Sequence, residues 1–484
     1  MQDILKNLYI NGKWVPAEKG KTYELRSPST GAVLAHVADG GTADVKKAID
    51  AASDAFPSWA GTPAKERGEI LIRAEQNLLK RKEEIARLVS EENGKPFEEA
   101  KQEVGFCSGY LRWFAEEGRR AYGETIPSPF AHKRLWTRLQ PIGVIGAITP
   151  WNFPANMITR KIAPILAAGC TVVLKPAQDT PLTALAITLA LHDAGVPKGV
   201  FNIVTALDPK PISAEYLSDP RVRMIGFTGS VGVGKLLMEQ SAKQLKKLSL
   251  ELGGNAPVLV FDDADLDLAV ERVGAIKFLR VGGESCICAN RIYVHEKIYA
   301  KFMEKFVKLV KSYIVGGPFK PGVKIGPMIT ARARDRLHEL IEQTKKQGAK
   351  IILGGHPLTE GEFAKGHFYA PTIIEGAQDD WPICQSEIFG PVANVLSFSD
   401  EKEVIERAND CTYGLASYLF TRDLNRMIRV SEALEYGFVG INDGDGYTHE
   451  IPMGGFKESG IGREGGREGL REYMEVKSVL VNIS

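Results

Sequence analysis

The hydrophobic and polar positions of the chain follow different periods in different regions. From about residue 60 to 120, apolar positions recur at i, i+3 and i+4 among many charges, which predicts amphipathic helices. The segment YGETIPSPFAHKR that follows is rich in proline and turn residues, which predicts a loop or an extended chain. From residue 142 the pattern changes, and short apolar runs begin to alternate with helical stretches.

This alternation predicts a parallel sheet. The runs GVIGAIT, TVVLKP, FNIVT and MIGFTG are typical of buried strands, whereas MITRKIAPILAAG and PLTALAITLALHDAG have helical spacing and end on glycine. Such β-α-β units form a doubly wound α/β sheet, which binds its ligands at the carboxyl ends of the strands.

A second α/β region is predicted from about residue 254. ADLDLAVERVGAIKFL and YAKFMEKFVKLVKSY have helical patterns, and RIYV between them is typical of a strand. The apolar tail EVKSVLVNIS predicts a C-terminal strand. A lone strand needs an edge to pair with, and that edge could belong to another subunit.

Composition narrows the function classes. The 484 residues are 44% hydrophobic, enough for a large core and two or three domains. Lys and Arg number 61 against 60 Asp and Glu, which gives no support for a nucleic-acid surface. We find no apolar run long enough for a signal peptide or a spanning helix, so we expect no membrane partner. The six cysteines are mostly scattered in apolar surroundings, which predicts reduced thiols in a cytoplasmic protein and no metal site.

The stretch FTGSVGVGKLL, residues 227–237, is close to a phosphate-binding loop. From Gly229 the spacing is G-x-x-x-x-G-K, but Leu236 stands where a Ser or Thr would hold a magnesium ion. The loop lies between a predicted strand and a predicted helix, where a phosphate can meet a helix N-terminus. Leu236 argues against nucleotide hydrolysis. A tight helix start and a dinucleotide pyrophosphate site both remain open from this motif alone.

Six further motifs occur with FTGS in a fixed order. They are TPWNFP at 149–154, KPA at 175–177, ELGG at 251–254, GGESC ending at residue 286, EIFGP at 387–391 and GGFKESGIGRE at 454–464. In this order and spacing, from about residue 10 to 480, the chain resembles the aldehyde dehydrogenase superfamily. It is most similar to the succinic semialdehyde dehydrogenases, whose segment after the catalytic cysteine resembles CICANRIYV here.

The resemblance implies an aldehyde dehydrogenase-like α/β fold, with a Rossmann-like cofactor domain, an α/β catalytic domain and a small β oligomerisation element. It also implies homodimers or homotetramers. The implied ranges are 1–121 and 141–253 for the NAD(P)-binding domain, 254–453 for the catalytic domain, 122–140 and 471–484 for the oligomerisation element, and 454–470 for a return segment that packs on the cofactor domain.

The resemblance also implies four catalytic residues. Cys286 matches the nucleophile, whose thiolate attacks the aldehyde, becomes part of a thioester and leaves when that thioester is hydrolysed. Asn152 matches the residue that stabilises the oxyanion together with the backbone N–H of Cys286. Glu251 matches the general base for the hydrolytic water, and Glu464 matches a second carboxylate proposed to relay protons. By residue type alone, a core thiol, an Asn in a turn before proline and surface carboxylates are the alternatives.

The cofactor implied by the resemblance is NAD, with NADP as a second possibility. Lys175 matches the lysine at the adenosine ribose, and Glu387 matches the carboxylate at the nicotinamide ribose. At Gln178, NAD-preferring members often carry Glu, whose charge repels a 2′-phosphate. Gln lacks this charge but can bond a hydroxyl, so we expect NAD use with measurable NADP use. The full set of candidate cofactor residues is Thr149, Pro150, Trp151, Lys175, Gln178, Gly229, Ser230, Leu252, Glu387 and Phe389.

Two arginines predict an anionic substrate. Arg160 in NMITRK and Arg280, six residues before Cys286, match the arginines with which the subfamily binds the substrate carboxylate. Guanidinium groups pair bidentately with carboxylate or sulfonate. Ion pairing on a helix surface is the alternative for each arginine.

The resemblance to the subfamily has departures. RVGGESC differs from the usual R-N-x-G-Q-T-C, and Tyr447 stands where a carboxylate-binding Ser is common, so Thr448 or His449 is the candidate substitute. We therefore favour succinic semialdehyde, with glutarate or ketoglutarate semialdehyde or a sulfonated aldehyde such as sulfolactaldehyde as alternatives.

Cys288 lies two residues after Cys286. In some members of the subfamily the two cysteines form a reversible disulfide that blocks catalysis, and a resolving thiol beside a reactive one is the expected arrangement for a redox switch. The alternative is that Cys288 simply packs in the core.

Overall fold

Two large β-sheets, a small three-stranded sheet and three two-stranded sheets occur in the computed structural model, which describes residues 6–444 and 448–483. Helices cover the two large sheets, as the alternating pattern predicts.

The first large sheet has eight strands in the order β2-β1-β9-β8-β7-β10-β11-β23. The five central strands, β9, β8, β7, β10 and β11, are parallel to one another. At one edge β1 pairs antiparallel with β9 and with β2, and at the other edge β23 pairs antiparallel with β11. The central strands are buried and lack alternation, which matches a parallel sheet covered on both faces. Their bounds are Leu8–Ile10 (β1), Lys13–Val15 (β2), Val144–Ile148 (β7), Thr171–Lys175 (β8), Phe201–Ile203 (β9), Val222–Thr228 (β10), Lys247–Glu251 (β11) and Gly460–Ile461 (β23).

Eight helices accompany this sheet. The fifth begins on Pro154 and ends before Gly169, which adopts φ 94°, a conformation that suits glycine at a helix C-terminus. All its residues are buried, because it packs against the fourth helix as well as the sheet. The bounds are Thr42–Gly61 (α1), Ala64–Lys80 (α2), Lys82–Asn93 (α3), Phe97–Glu117 (α4), Pro154–Ala168 (α5), Pro181–Asp193 (α6), Lys210–Ser218 (α7) and Val231–Ser241 (α8).

The second large sheet has seven strands in the order β16-β17-β18-β13-β12-β20-β21, and all are parallel except β16. Its strands are Ala256–Val260 (β12), Ala289–His295 (β13), Lys350–Leu353 (β16), Thr372–Glu375 (β17), Val392–Phe398 (β18), Ala416–Phe420 (β20) and Phe438–Ile441 (β21). Its helices are Leu266–Phe278 (α9), Glu296–Lys311 (α10), Ala331–Lys346 (α11), Pro382–Gln385 (α12), Glu401–Asn409 (α13) and Leu424–Ala433 (α14).

The small sheet joins the C-terminal strand to an earlier segment of the same chain. Met474–Asn482 (β24) pairs antiparallel with Lys133–Pro141 (β6), and Thr125–Ile126 (β5) pairs on the other side of β6. The edge that the C-terminal strand needs is therefore provided within the chain. The predicted oligomeric state stays a prediction.

The remaining elements are short. The strand Gly460–Ile461 brings the return segment onto the first sheet, where Gly460 lies opposite Glu251. The domain division stays a prediction. The other elements are Thr22–Arg26 (β3), Val33–Ala38 (β4), Ile314–Val315 (β14), Val323–Ile325 (β15), Tyr413–Gly414 (β19), Phe456–Lys457 (β22) and the helix Glu468–Arg471 (α15). In the described ranges no helix has both the length and the hydrophobicity to cross a membrane.

Candidate active site

A cavity of about 250 Å³ lies between helices α4 and α5 and the loop that carries Cys286. Each helix contributes side chains at i, i+3, i+4 and i+7, which lie on one face of a helix. From α4 these are Glu99, Gln102, Glu103 and Phe106, and from α5 with its preceding residue they are Phe153, Asn156, Met157 and Arg160. The remaining wall consists of Leu279, Arg280, Ser285, Cys286, Ile287 and Met453.

The loop before Cys286 is fixed by close backbone packing. A Cβ on Gly283 would lie 2.3 Å from the carbonyl oxygen of Gly390, so only glycine fits there, and its φ is 84°. Gly254 is equally constrained, because a Cβ would lie 2.2 Å from the carbonyl oxygen of Cys286. The segment after Glu251 and the cysteine loop are therefore in direct contact.

Asn152 is brought to the same loop. Its Nδ2 donates a hydrogen bond to the carbonyl oxygen of Glu284 at 3.1 Å, and its backbone carbonyl accepts one from Lys95 Nζ at 3.1 Å. The buried side-chain amide of Asn152 thus lies beside the cysteine loop, where an oxyanion donor is expected.

The thiol of Cys286 faces the cavity and is only partly accessible. Burial raises the pKa of Cys286 to about 12, while Arg160 opposes this rise and Glu387 adds to it. In this state the thiol holds its proton at neutral pH, so nucleophilic attack requires proton removal.

Four buried charged groups form a cluster behind Cys286. Arg160 pairs with the carboxylates of both Glu251 and Glu464, and its Nε lies 2.5 Å from Glu464 Oε2. Lys161 Nζ donates to Glu464 Oε1. Two cations and two carboxylates balance, which is the condition under which buried charges are tolerated. Lys161 was not predicted, because its partner lies 303 positions away and no local motif connects them.

The two carboxylates of this cluster differ in whether one of their oxygens lacks a hydrogen-bond partner among the described residues. Burial alone would raise the pKa of Glu464, but Arg160 and Lys161 hold that pKa below its usual value. Glu251 Oε1, in contrast, is buried and has no hydrogen-bond partner among the described residues. Glu251 therefore has an oxygen available for water, whereas both oxygens of Glu464 are occupied by cations.

The predicted cofactor residues gather at one edge of the first sheet. Thr149, Lys175, Gly229 and Leu252 lie at the carboxyl ends of the strands β7, β8, β10 and β11, which are adjacent in the sheet. Pro150, Trp151 and Ser230 extend the same group. This is the edge at which doubly wound sheets bind ligands.

Two groups at this edge fit a dinucleotide. The ammonium of Lys175 is buried without a hydrogen bond or ion pair to any described residue, and burial lowers its pKa to about 8. Thr149 Oγ1 is also buried and lacks a partner in residues 6–444 and 448–483. Ribose hydroxyls and phosphate oxygens are the kind of group that would satisfy both.

The nicotinamide end of the predicted site is also assembled. The rings of Trp151 and Phe389 meet edge to face, with centroids 5.6 Å apart. The carboxyl of Glu387 accepts a hydrogen bond from the N–H of Gly254 at 3.2 Å, and burial raises its pKa to about 7. A carboxyl group at this position can bond ribose hydroxyls.

Other predicted cofactor residues have structural contacts. Gln178 Nε2 donates to Asp179 Oδ2 at 2.7 Å, and Ser230 lies exposed at the start of α8. The side chain of Leu252 is buried in a small apolar cluster under α8. The lysine of the phosphate-loop spacing, Lys235, pairs with Glu458 at 2.7 Å on the surface.

Of the predicted substrate residues, Arg160 and Arg280 line the cavity. Neither Thr448 nor His449 is among the residues that form its wall. His449 Nε2 lies 2.8 Å from the carbonyl oxygen of Phe106 and its ring stacks on the Phe106 ring, so it supports the wall from behind. The Thr448 hydroxyl bonds the carboxylate of Glu450. Tyr447 lies outside the described residues.

Cys288 is buried and turned toward Lys277, whose Nζ lies 3.2 Å from its Sγ and 3.1 Å from Asn290 Oδ1. Burial raises the pKa of Cys288, and Lys277 opposes the rise. A disulfide with Cys286 would require this contact to break. The redox switch stays a prediction.

Sequence reasoning missed the polar groups that α4 contributes to the cavity, Glu99, Gln102 and Glu103. Their signal was present as polar positions at helical spacing, in a helix whose other inward positions are apolar. Without the partner helix, the same spacing is equally typical of a solvated face.

Comparison with known proteins identifies the family. Residues 14–479 match the family model described as "Aldehyde dehydrogenase family". The chain is 47% identical over 474 residues to a protein of Escherichia coli named succinate-semialdehyde dehydrogenase (NADP+), with 98% of this chain and 97% of the relative covered. It is 46% identical over 475 residues to a glutarate-semialdehyde dehydrogenase, and 47% identical over 476 residues to a 3-sulfolactaldehyde dehydrogenase, both of Pseudomonas putida and with the same coverage.

Solved structures agree in fold. A crystal structure described as an E. coli NADP-dependent enzyme superposes with a TM-score of 0.96 at 46% identity, covering 99% of this chain and 98% of that one. A betaine aldehyde dehydrogenase of Staphylococcus aureus in complex with NAD+ also gives a TM-score of 0.96, at 34% identity, with 99% and 95% covered. The predicted α/β fold and the predicted resemblance are confirmed. The chain therefore belongs to the aldehyde dehydrogenase family and is an NAD(P)-dependent oxidoreductase of that family.

Proposed function

We propose that this enzyme oxidises a small anionic aldehyde, with succinic semialdehyde favoured, to the corresponding acid. The observation that carries the proposal is that Arg160 and Arg280 line the same cavity as Cys286. Guanidinium groups beside a nucleophilic thiol favour an aldehyde whose other end is a carboxylate or a sulfonate.

Other anionic aldehydes are the alternatives. The relatives named above act on succinate semialdehyde, glutarate semialdehyde and sulfolactaldehyde, according to their names. Each of these substrates carries an anionic group and an aldehyde in one short chain, so the paired arginines suit all three. Succinic semialdehyde remains favoured on the resemblance around CICANRIYV.

In the proposed mechanism, the Cys286 thiolate attacks the carbonyl carbon of the bound aldehyde. The developing oxyanion accepts hydrogen bonds from Asn152 Nδ2 and the backbone N–H of Cys286, which stabilise charge in a site with little water. Arg160 opposes the high pKa of the Cys286 thiol and so favours the thiolate that attacks.

The chemistry that NAD(P)+ supplies when bound is hydride acceptance, which turns the thiohemiacetal on Cys286 into a thioester. Lys175 and Ser230 would hold the adenosine half, and Glu387 and Trp151 would hold the nicotinamide half. The buried ammonium of Lys175 that lacks a protein partner among the described residues supports this assignment.

Hydrolysis of the thioester needs a base. The Oε1 oxygen of Glu251 has no partner within the described chain, so it can accept a proton from the attacking water. The cations around Glu464 keep it ionised, which suits a carboxylate that positions Arg160 better than one that relays protons. A relay role for Glu464 remains the alternative.

A panel of aldehydes tests the substrate proposal. Carboxylated, sulfonated and neutral aldehydes of equal chain length are each assayed with NAD+ and with NADP+ by the absorbance of the reduced nicotinamide. We expect kcat/KM for the anionic aldehydes to exceed that for the neutral ones by about 100-fold or more, because each charge-assisted hydrogen bond contributes about 1.5–3 kcal/mol.

Arginine variants locate this preference. Arg280→Met should lose most of it, whereas Arg429→Met, which removes a guanidinium paired with Glu401 at the surface, should keep it. A wild-type preference for neutral aliphatic aldehydes would contradict the proposal.

A further inference from the structure

We propose that Glu99 binds the substrate as a neutral carboxylic acid and donates a hydrogen bond to its anionic group. This inference rests on the proposed function, because it assumes an anionic substrate. It adds a specificity-determining residue that lies on α4, far in sequence from the catalytic motifs.

The contacts of Glu99 leave one oxygen for a ligand. Oε1 accepts a hydrogen bond from the backbone N–H of Val281 at 2.8 Å, which fixes the side chain against the loop of Arg280. Oε2 is buried and has no hydrogen-bond partner among the described residues. Glu99 lines the same cavity as Cys286, and in this proposal the bound substrate supplies the partner that this oxygen lacks within the described chain.

The cations near Glu99 have other partners. Lys95 forms a buried ion pair with Glu103, which lies one turn of α4 after Glu99. Lys95 also donates a hydrogen bond to the carbonyl oxygen of Asn152. Arg280 donates to the carbonyl oxygen of Gly444. Glu99 itself forms no ion pair with any residue of the described ranges.

The remaining ionisable groups that face the cavity are Arg160, which is engaged with Glu251 and Glu464, and the protonated thiol of Cys286. An ionised Glu99 would therefore stand in the cavity without a dedicated cation. It would repel the substrate anion at short range and compete with it for Arg280.

Protonation removes this conflict. Burial raises the pKa of Glu99 to about 7; Lys95, the backbone N–H of Val281 and Arg280 oppose the rise, and Glu103 adds to it. A bound anion nearby raises that pKa further, since a like charge disfavours the carboxylate. The protonated group then offers an O–H donor to the substrate anion, and such O–H···O⁻ bonds are among the stronger hydrogen bonds in proteins.

The protonation of Glu99 makes KM for an anionic aldehyde depend on pH. The pKa of Glu99 in the free enzyme is about 7. At a pH below this value Glu99 is neutral and binds the anion. At a pH above it Glu99 is a carboxylate that repels the anion. KM for an anionic aldehyde should therefore rise with pH, by about fivefold from pH 7 to pH 8 for a single titrating proton. The effect should be on KM and not on kcat, because Glu99 is protonated in the complex.

The experiment compares wild type, Glu99→Gln and Glu98→Gln between about pH 6 and pH 9. Glutamine is the neutral isostere with an N–H donor, so Glu99→Gln should keep KM low and flat across this range. Glu98 is the matched control, because it is exposed on the same helical turn and pairs with Lys101 at 2.7 Å, so its variant should behave as wild type. A neutral aldehyde of equal length should show a flat KM in all three proteins.

Proton uptake gives a readout that does not depend on turnover. Calorimetric titration of wild type with succinate, an unreactive dianion, in buffers of different ionisation enthalpy should show uptake of up to one proton at about pH 7.5. Glu98→Gln should show the same uptake, and Glu99→Gln should show none. This measurement on wild type alone remains decisive if Glu99→Gln does not fold.

The outcomes separate the two proposals. Preference of the wild type for neutral aldehydes would overturn the proposed function itself. Preference for anionic aldehydes with a pH-independent KM, with no proton uptake, or with a raised KM for Glu99→Gln at every pH would overturn the role of Glu99 alone.

Discussion

In the proposed mechanism, Glu251 and Glu464 have different tasks although both belong to one buried cluster. Both contact Arg160, but only Glu464 also contacts Lys161. Glu251 keeps one oxygen without a partner in the described chain, next to the segment that touches the cysteine loop. We assign the role of base to Glu251 because of this oxygen, since both residues are glutamates.

Replacing Glu251 should therefore trap the acyl-enzyme. We expect Glu251→Gln to lower steady-state turnover by about 10² to 10⁴-fold, the usual contribution of a general base, while a first burst of reduced nicotinamide persists. Stopped-flow absorbance measures the burst, and intact-protein mass spectrometry detects the acyl group. Glu458→Gln, at a surface ion pair with Lys235, is the control and should turn over normally. Loss of the burst along with turnover would argue that Glu251 acts before hydrolysis.

Gln178 provides a second test at the scale of one residue. Its amide bonds Asp179 and carries no charge, so it lacks the repulsion that a Glu exerts on a 2′-phosphate. We expect wild type to use NAD+ and NADP+ within a thousandfold of each other in kcat/KM. Gln178→Glu should lower kcat/KM for NADP+ by about tenfold or more, with little change for NAD+, because a like charge at close range costs at least about 1.4 kcal/mol. Gln244→Glu, whose exposed amide bonds the carbonyl oxygen of Ser218, is the control. A thousandfold preference of wild type for either cofactor would contradict the expectation.

At the scale of elements, α5 joins the cofactor sheet to the cavity. Its residues at i, i+3, i+4 and i+7 line the cavity, while Lys161 on the neighbouring face holds Glu464. The helix is buried along its whole length, so its cationic residues are tolerated only because carboxylates from β11 and the return segment meet them.

Breaking one of these pairs should be costly. Lys161→Met leaves Glu464 with Arg160 as its remaining cationic partner, and we expect the free energy of unfolding to fall by about 3–5 kcal/mol. Denaturant titration followed by circular dichroism measures the loss. Lys235→Met, which removes a surface pair with Glu458, should cost less than about 1 kcal/mol. Equal losses in both variants would show that burial of the Lys161 pair does not set its energy.

The ion pairs of Glu464 also make the stability of the protein depend on pH. Because Arg160 and Lys161 lower the pKa of Glu464 in the folded state, the contribution of its carboxylate is present above the usual Glu pKa. That contribution should be lost as the pH falls through the lowered pKa, and the loss should be smaller in Lys161→Met.

At the scale of the whole molecule, the small sheet leaves apolar side chains uncovered. On β24, Val476 is 67% exposed and Leu480 is 59% exposed, and they lie on one face because strand residues alternate. Contiguous exposed apolar residues mark subunit contacts in many proteins. β24 pairs with β6 on one side only and is an edge of the small sheet, so its outer backbone edge and this apolar face both remain for a second subunit.

We expect Val476→Asp with Leu480→Asp to lower the oligomeric state, as measured by size-exclusion chromatography with light scattering. The buried charges would destabilise an apolar interface, whereas a folded subunit would expose them to water. Lys477→Asp places an aspartate on the opposite face of β24 and should leave the assembly intact. An unchanged mass for the double variant would exclude this face as the interface.

The spacing of apolar and polar positions predicted the helices and strands best where these elements are regular. Strands β7, β8 and β10 and helices α5, α6 and α10 correspond to the apolar runs and helical stretches that predicted them. The register of β6 was not predicted, because its start lies in a proline-rich segment that was expected to be loop or extended chain. The partner of the C-terminal strand was open for the same reason.

The sequence by itself determined the α/β alternation and the family and made Cys286 the candidate nucleophile, because those features depend on local periodicity and on motifs of a few adjacent residues. Only the tertiary structure decided that Lys161 meets Glu464, that Glu99 faces the cavity, and that His449 lies behind its wall. Each of these contacts joins residues whose separation in the chain is large or whose helix face is ambiguous. Burial and charge pairing at such sites are set by which elements pack together, and no local pattern contains that information.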